Sequence, residues 1–288
     1  MSEYKELSCL AYDLRKKVVE MVVSGKGGHI GGDMSVIDVL VALYFKEMNI
    51  SPKNMDDPDR DRFVMSKGHS VEAYYAVLAA KGFFPMEEVI EKFSKFGSPY
   101  IGHPNNKLPG IEMNSGSLGH GLPVCVGMAL AGKMDKKDYR VYTVMGDGEL
   151  EEGSVWEGAM SAGNYKLDNL CAIVDRNRLQ ISGNTEDVMK QDSQEERWAA
   201  FGWNVLSVPG NDMDALVHAF ELAKHCKGKP TVIIANTTKG CGSSVMENKA
   251  EWHHKVPTPE EVEQIMKDLD VLWEGAVKYN ICQQFCCP

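Results

Sequence analysis

Several features that would place this chain in other protein classes are missing from its sequence. It has no run of about eighteen apolar residues, so we expect no segment that spans a membrane. Its first residues, 1–6, lack the basic start and the apolar stretch of a signal peptide. Basic side chains are also in deficit, with 31 Lys and Arg against 41 Asp and Glu and a formal charge of −10, which argues against nucleic-acid binding. These absences predict a globular cytoplasmic protein.

The chain has eight cysteines but no pattern that predicts disulfides or a metal site. Those at positions 9, 125, 171, 226 and 241 are scattered and mostly lie in apolar surroundings, as small buried hydrophobic residues do. A reducing cytoplasm makes disulfides unexpected. The last three, Cys282, Cys286 and Cys287, match no zinc spacing and have no adjacent histidine, which favours a featureless tail over a metal site. We therefore expect one domain over residues 1–280 and a Cys-rich tail over 281–288.

Strand-like and helix-like segments alternate along the chain. Apolar spacing predicts helices over 5–24, from a cap at Asp33 or Ser35 to about Lys46, and over 70–81, 151–164, 212–226 and 259–279. Short β-rich runs predict strands at 62–65, 139–145, 170–174, 203–208 and 231–235. This alternation indicates an α/β fold with a mostly parallel sheet and helices on both faces.

Three glycine-rich turns, at 25–32, 116–121 and 146–148, lie where such sheets bind ligands. None is a common nucleotide motif. The segment nearest to a phosphate-binding P-loop, residues 148–154, lacks the lysine that contacts phosphate, and no Gly-x-Gly-x-x-Gly follows a strand. A kinase, a GTPase or a dinucleotide-binding enzyme therefore has little support.

One of these turns is paired with a second polar loop. Gly146-Asp147-Gly148 follows one predicted strand directly, and Asn177 comes thirty positions after Asp147, beyond the next strand. In a βαβ unit the two loops lie side by side, so Asp147 and Asn177 can offer two oxygens to one cation. Mg²⁺ prefers oxygen ligands and commonly adds phosphate oxygens to a few protein ones. Gly148 lets backbone N–H groups approach a phosphate at the start of the next helix.

Gly146-Asp147-Gly148 followed by Asn177 resembles the thiamine diphosphate motif. From about residue 5 to 258 the chain resembles the N-terminal, diphosphate-binding half of transketolase. Five further segments match in order: Gly28 to Gly32, Asp61 to His69, Gly102-His103-Pro104, Gly116 to Gly119, and Thr238-Lys239-Gly240 through Trp252-His253-His254. The resemblance implies a thiamine diphosphate-binding fold with that cofactor and Mg²⁺, for which Ca²⁺ or Mn²⁺ can substitute.

The resemblance also implies roles for individual residues. Asp147, Asn177 and the carbonyl of Leu179 would hold the metal. His69, His253 and Lys239 would reach the diphosphate, although His254 is an alternative to His253. Two histidines and a lysine would offset the diphosphate charge that the metal leaves over.

Further roles concern the substrate channel and the cofactor loop. His29 and His103 would bond oxygens of the donor sugar, so His29, His69, His103 and His253 are the candidate catalytic residues. Without the resemblance, a lone histidine after Gly-Gly is more often a turn or core residue. The remaining candidate cofactor contacts are Gly116, Ser117, Leu118, Gly146, Gly148, Glu152 and Ile181, with Leu118 and Ile181 on opposite sides of the thiazolium ring. Glu152, like Glu157, resembles an acidic residue of the dimer interface.

Two departures from the family pattern stand out. His120 occupies a position where glutamine is common. The chain also stops where transketolases usually continue, and the glutamate that activates the aminopyrimidine lies in that following domain. The resemblance therefore implies one subunit of a split enzyme. A partner chain, in a dimer of heterodimers, would supply this glutamate and most of the residues that grip the substrate phosphate.

The implied reaction is transfer of a two-carbon ketol unit from a ketose, or ketose phosphate, to an aldose. Ordinary pentose and hexose phosphates are the default substrates, and branched or sulfonated sugars remain open. Two alternatives also remain. One is a subunit of another thiamine diphosphate enzyme, similar to the 2-oxo-acid dehydrogenase α subunit or to deoxyxylulose-phosphate synthase. The other is a non-catalytic regulatory or scaffold relative, against which the intact Asp147 and Asn177 argue.

Overall fold

The computed structural model describes residues 4–191 and 193–284, and of residues 278–284 it describes the backbone alone. The proposed tail boundary at residue 281 falls within the last helix, which runs over Pro259–Gln284. Cys286 and Cys287 of the predicted tail lie outside the described residues, as does the side chain of Cys282. Cys9, Cys125, Cys171, Cys226 and Cys241 are free thiols, in agreement with the prediction for these five.

A five-stranded parallel sheet forms the centre of the fold. Its strand order is β1-β2-β3-β7-β6, and a separate two-stranded hairpin, β4-β5, is antiparallel. The strands are β1 (Arg62–Met65), β2 (Val141–Gly146), β3 (Leu170–Arg176), β4 (Leu179–Gln180), β5 (Gly183–Asn184), β6 (Asn204–Pro209) and β7 (Thr231–Asn236). All five predicted strands are present, and the mostly parallel α/β sheet is confirmed.

Helices cover both faces of this sheet. They are α1 (Lys5–Gly25), α2 (Ile30–Ala42), α3 (Val71–Ala80), α4 (Met86–Lys92), α5 (Gly121–Met134), α6 (Gly153–Asn164), α7 (Thr185–Val188), α8 (Gln194–Ala200), α9 (Met213–His225) and α10 (Pro259–Gln284). Within the described residues, no helix combines the length and apolar character that crossing a membrane needs.

Alternate residues of the central strands point into two separate cores. Cys171 and Ile173 of β3 pack into the core beneath α1, α2, α3 and α9. Ala172 and Val174 of the same strand pack into the core beneath α5 and α6. Side chains alternate across a strand, and a parallel sheet covered on both faces is buried on both. This is why β3 is buried along its whole length.

The start of α2 differs from the prediction. The glycine run was expected to break the chain up to a cap at Asp33 or Ser35, but α2 already begins at Ile30, with His29 as its N-cap residue. Packing explains the early start, because a Cβ at Gly31 would lie 2.6 Å from the carbonyl oxygen of Trp252. The glycines therefore permit close approach of another loop rather than ending the helix.

The helices α4 and α5 were not predicted. Pro123 and several glycines obscure the pattern of α5, although proline is tolerated in the first turn of a helix.

The carboxyl ends of four neighbouring strands bring the polar loops together. Gly146 of β2 pairs with Asp175 of β3, and Arg176 of β3 pairs with Asn236 of β7. The loops that follow these strands, together with the one after β1, therefore lie along one edge of the sheet. This edge is the expected ligand position in an open α/β sheet.

Candidate functional site

A cavity of about 380 Å³ opens at this edge of the sheet. Thirteen of the predicted site residues line it: His29, His69, His103, Gly116, Leu118, Gly146, Asp147, Gly148, Asn177, Leu179, Ile181, Lys239 and His253. Ser117 and Glu152 do not line it, and both are exposed, as are His120 and Glu157. The cavity therefore gathers most of the candidates, whereas Glu152 lies outside it at the start of α6.

Asp147 is held rigidly in the cavity wall. Its Oδ1 accepts a hydrogen bond from the Gly148 N–H at 2.9 Å, and its Oδ2 accepts one from the Arg178 N–H at 2.5 Å. Burial, assisted by the nearby Asp175, raises the pKa of Asp147 to about 6. A cation bound beside this carboxylate would offset the penalty that burial places on its charge.

Asn177 and Leu179 lie on the neighbouring loop. Asn177 Oδ1 accepts a hydrogen bond from the Leu179 N–H at 3.1 Å, while its amide group donates to Ser35 Oγ at 3.3 Å. The Leu179 carbonyl accepts a hydrogen bond from Lys239 Nζ at 3.2 Å. The set therefore offers carboxylate, amide and carbonyl oxygens, which suits a hard cation. Within the described residues no cluster of three His, Cys, Asp or Glu side chains could hold a metal, so a site for a softer metal such as zinc is absent there.

Histidine rings crowd around His29. Its ring centroid lies 4.8 Å from that of His254, 5.3 Å from His69, 5.6 Å from His253 and 6.2 Å from His103. Burial lowers the pKa of His29 to about 4 and that of His253 to about 3, with neighbouring cationic groups adding to both shifts. Neutral imidazoles can each donate one hydrogen bond and accept another, as polar recognition of a sugar requires.

The structure separates the two adjacent histidines that the sequence left as alternatives. His253 lines the cavity, and its Nδ1 accepts a hydrogen bond from Lys239 Nζ at 3.1 Å. His254 is exposed and does not line the cavity, but its ring lies against that of His29. His253 therefore faces the phosphate side of the cavity, as favoured in the sequence.

Two lysines make this side of the cavity basic. Lys239 is buried, and burial together with the charge of Lys67 lowers its pKa to about 8. Lys67 lines the same cavity and forms a buried ion pair with Asp175, whose carboxylate also accepts a hydrogen bond from Ser35 Oγ at 2.6 Å. An anionic ligand in the cavity would be attracted by both lysines.

Lys67, Asp175 and Glu149 are site residues to which the sequence had assigned no role. Glu149 is buried, accepts hydrogen bonds from the Gly119 and Gly146 N–H groups at 2.8 and 3.0 Å, and thereby joins two of the glycine turns. Lys67 lay within a matched segment, and Asp175 directly follows a buried strand run. Their positions after strands were the available signal, but their pairing depends on the tertiary structure.

The open side of the cavity is partly apolar. Leu118 and Ile181 both line it, and the Ile181 side chain is 77 % exposed. Gly116 has φ +144°, and a Cβ there would lie 2.8 Å from His103 Cδ2, so this turn needs glycine for His103 to keep its place. The cavity thus has polar walls and an apolar, solvent-facing mouth.

Replacing Lys67 by methionine should destabilise the folded chain strongly. Lys67→Met keeps a similar volume but leaves the Asp175 carboxylate buried without its cation, so we expect the free energy of unfolding to fall by about 3 kcal/mol. Urea unfolding of the full chain measures this loss. Lys133→Met is the matched control, because Lys133 pairs with Asp168 at 2.7 Å on the surface and its loss should be below about 1 kcal/mol. Equal losses in the two variants would contradict the assignment.

Comparison with known proteins defines the class to which this fold and site belong. The family model described as "Transketolase, thiamine diphosphate binding domain" matches residues 8–286. The chain is 52 % identical over 266 residues to one of the subunits of the apulose-4-phosphate transketolase of Phocaeicola vulgatus, covering 92 % of this chain and 94 % of that one. It is 42 % identical over 279 residues to 6-deoxy-6-sulfo-D-fructose transketolase subunit SqwG of Clostridium sp., covering 96 % and 97 %. These relatives are transferases.

Solved structures agree with the sequence relatives. Transketolase from Campylobacter jejuni superposes with a TM-score of 0.88 at 31 % identity, over 94 % of this chain and 43 % of that one. The chain thus spans less than half of that transketolase. It belongs to the transketolase thiamine diphosphate-binding domain family, which confirms the resemblance and the fold inferred from the sequence.

Proposed function

We propose that this chain is the diphosphate- and metal-binding subunit of a heteromeric transketolase, with residues 1–280 as its domain and 281–288 as a tail. The complex transfers a two-carbon ketol unit from a ketose, or ketose phosphate, to an aldose in the cytoplasm. The observation that carries the proposal is the single cavity that joins an oxygen-donor set to a group of lysines and neutral histidines.

Asp147, Asn177 and the Leu179 carbonyl hold Mg²⁺ in this proposal, and Ca²⁺ or Mn²⁺ can substitute. Two features of the chain fit such a cation. The buried Asp147 carboxylate has a raised pKa, and an adjacent positive charge would relieve the cause. The Leu179 carbonyl already accepts a hydrogen bond from an ammonium group, that of Lys239, which suits an oxygen that attracts cations.

The diphosphate lies next to this cation in the proposal. His69, His253 and Lys239 contact it, and the backbone around Gly116, Ser117, Gly146 and Gly148 permits its close approach. Burial lowers the pKa of His69, so its neutral ring contributes a hydrogen bond rather than a charge. The cationic lysines then neutralise the phosphate charge that one divalent cation leaves over.

When bound, thiamine diphosphate supplies a carbon nucleophile that carries the two-carbon unit. His29 and His103 bond the hydroxyl and carbonyl oxygens of the donor and hold protons near them. His29 Nδ1 is buried and has no hydrogen-bond partner among the described residues, so it is available to a ligand. Leu118 and Ile181 exclude water from the two sides of the thiazolium ring.

A partner chain completes the site in this proposal by supplying the activating glutamate. Among the described residues that line the cavity, the carboxylates are Asp147 and Glu149, and both are engaged by backbone N–H groups. Neither is free to bond the aminopyrimidine. The two relatives compared above, which the chain matches over 94 % and 97 % of their lengths, are named as transketolase subunits. The exposed Glu152 and Glu157 lie at the interface of a dimer of heterodimers.

A donor and acceptor panel tests the reaction class. The reconstituted complex is incubated with pentose and hexose ketose phosphates, with branched and sulfonated ketoses and with 2-oxo acids, each together with aldose acceptors. We expect a ketose two carbons longer than the acceptor from at least one ketose donor and none from the 2-oxo acids. Decarboxylation of a 2-oxo acid without ketol transfer would instead support the dehydrogenase-like alternative, and inactivity on every donor would support the non-catalytic one.

A further inference from the structure

Two buried carboxyl groups behind the histidines bond the start of each other's helix. Glu72, in the first turn of α3, accepts a hydrogen bond through Oε1 from the backbone N–H of His29, the N-cap residue of α2, at 3.2 Å. Asp33, in the first turn of α2, accepts one through Oδ1 from the Ala73 N–H of α3 at 2.9 Å. Each carboxyl group thus satisfies a backbone donor that the opposite helix leaves unpaired.

The two carboxyl groups also bond each other, which requires a proton between them. Both residues are fully buried, and a side-chain hydrogen bond joins them. Their remaining oxygens, Asp33 Oδ2 and Glu72 Oε2, have no donor group of another described residue within hydrogen-bond distance. Burial and the charge of Asp33 raise the pKa of Glu72 well above its ordinary value, while burial raises that of Asp33 to about 7. Glu72 therefore keeps its proton and donates it to Asp33.

The surrounding groups leave no compensation for a second negative charge. Lys67 and Lys239 both favour the ionised form of Asp33, but Lys67 is paired with Asp175 and Lys239 bonds the Leu179 carbonyl. The other titratable neighbours of Glu72 are Tyr75, whose pKa the carboxyl group raises, and the His29 backbone contact described above.

Close packing makes the position of Glu72 determine that of His29. Gly28 has φ +157°, and a Cβ there would lie 2.3 Å from Glu72 Oε1. A Cβ at Gly32 would lie 2.9 Å from Ser70 Oγ, so the starts of α2 and α3 touch through glycine. His29 caps α2 and His69 immediately precedes the N-cap residue of α3, with their rings 5.3 Å apart.

We propose that Asp33 and Glu72 are positioning residues: as a pair sharing one proton, they fix the spacing of His29 and His69 in the site. The kinetic consequence rests on the proposed function, because it assumes that these histidines bind donor and diphosphate. The geometric consequence does not.

Three variants of the full chain test the pair. Glu72→Gln keeps an acceptor for the His29 N–H and a donor for Asp33 but has no dissociable proton, whereas Glu72→Ala removes both bonds. Glu87→Gln, in the first turn of α4, is the matched control away from the site. In the chain labelled at its histidines, we expect the ring NMR signals of His29 and His69 to shift in Glu72→Ala and to stay in place in Glu72→Gln and the control.

The reconstituted complex provides the kinetic readout. A misplaced His29 should raise the KM for the donor by about tenfold in Glu72→Ala, since an error of about 1 Å in a positioning residue costs at least this much. Glu72→Gln should restore KM to within about twofold of the unchanged chain. A general loss of folded protein would instead lower the apparent kcat and leave KM unchanged.

The pH dependence of stability supplies an independent readout. Because the pKa of Glu72 is higher in the folded chain than in the unfolded one, the stability it contributes is full below the ordinary glutamate pKa and is lost as the pH rises through the raised value. We therefore expect the Tm difference, Glu72→Gln minus unchanged chain, to grow between about pH 5 and about pH 9.

Two outcomes would overturn the proposal. Unmoved histidine signals in a folded Glu72→Ala would show that the pair does not position the rings. A Glu72→Gln variant with shifted signals and a constant Tm difference would show that no proton is shared, and this second variant decides the matter if Glu72→Ala fails to fold. An inactive complex with the expected NMR and Tm results would contradict the proposed function alone.

Discussion

Asp147→Asn is expected to abolish the metal-dependent part of thiamine diphosphate binding by the complex. The substitution removes the negative charge from the oxygen set that is proposed to hold the cation. It also places an amide N–H group against a backbone N–H, since both carboxylate oxygens now accept such bonds. Changes to residues that merely orient metal ligands weaken affinity by about 10–100-fold, so losing a ligand should cost about a hundredfold or more.

Calorimetric titration of the complex with thiamine diphosphate, in Mg²⁺ and in EDTA, measures this effect. The unchanged complex should bind far more tightly in Mg²⁺ than in EDTA, and Asp147→Asn should bind weakly in both. Asp135→Asn, at an exposed position, is the charge-matched control and should behave like the unchanged complex. A variant at position 147 that keeps the full Mg²⁺ dependence would refute the metal assignment.

The parts of the site that the sequence predicted correctly are those written in local patterns. Gly146-Asp147-Gly148 and Asn177 each follow a β-rich run, and adjacent parallel strands must bring such loops together. The alternation of strands and helices likewise determined the sheet, because each apolar run has one compatible partner arrangement.

Features that depend on tertiary packing could not be predicted in the same way. The glycines around Gly31 look like a helix break until the carbonyl of Trp252 is seen to approach them. Lys67 and Asp175 are 108 positions apart, and each alone resembles an ordinary surface charge. Asp33 was interpreted as a helix cap, yet its carboxyl group is fully buried against Glu72 from another helix. Burial, which changes the chemistry of all these groups, is not visible in a single sequence.

The second large effect expected is complete dependence of turnover on a partner chain. The described wall of the cavity has lysines, histidines and a cation-binding oxygen set, but its carboxylates are already engaged by backbone groups. It therefore offers no free acid for the aminopyrimidine. The exposed Ile181 indicates that this side of the cavity is covered by another surface during turnover. Removing the partner should lower the rate to the background, and cofactor binding to the isolated chain should be weak.

Turnover with and without the partner therefore tests the account most directly. Each chain is purified separately and assayed for two-carbon transfer at saturating thiamine diphosphate and Mg²⁺, alone and after mixing. The account predicts no transfer by either chain alone and transfer that rises with added partner to saturation at one partner per chain. Full turnover by this chain alone would contradict it.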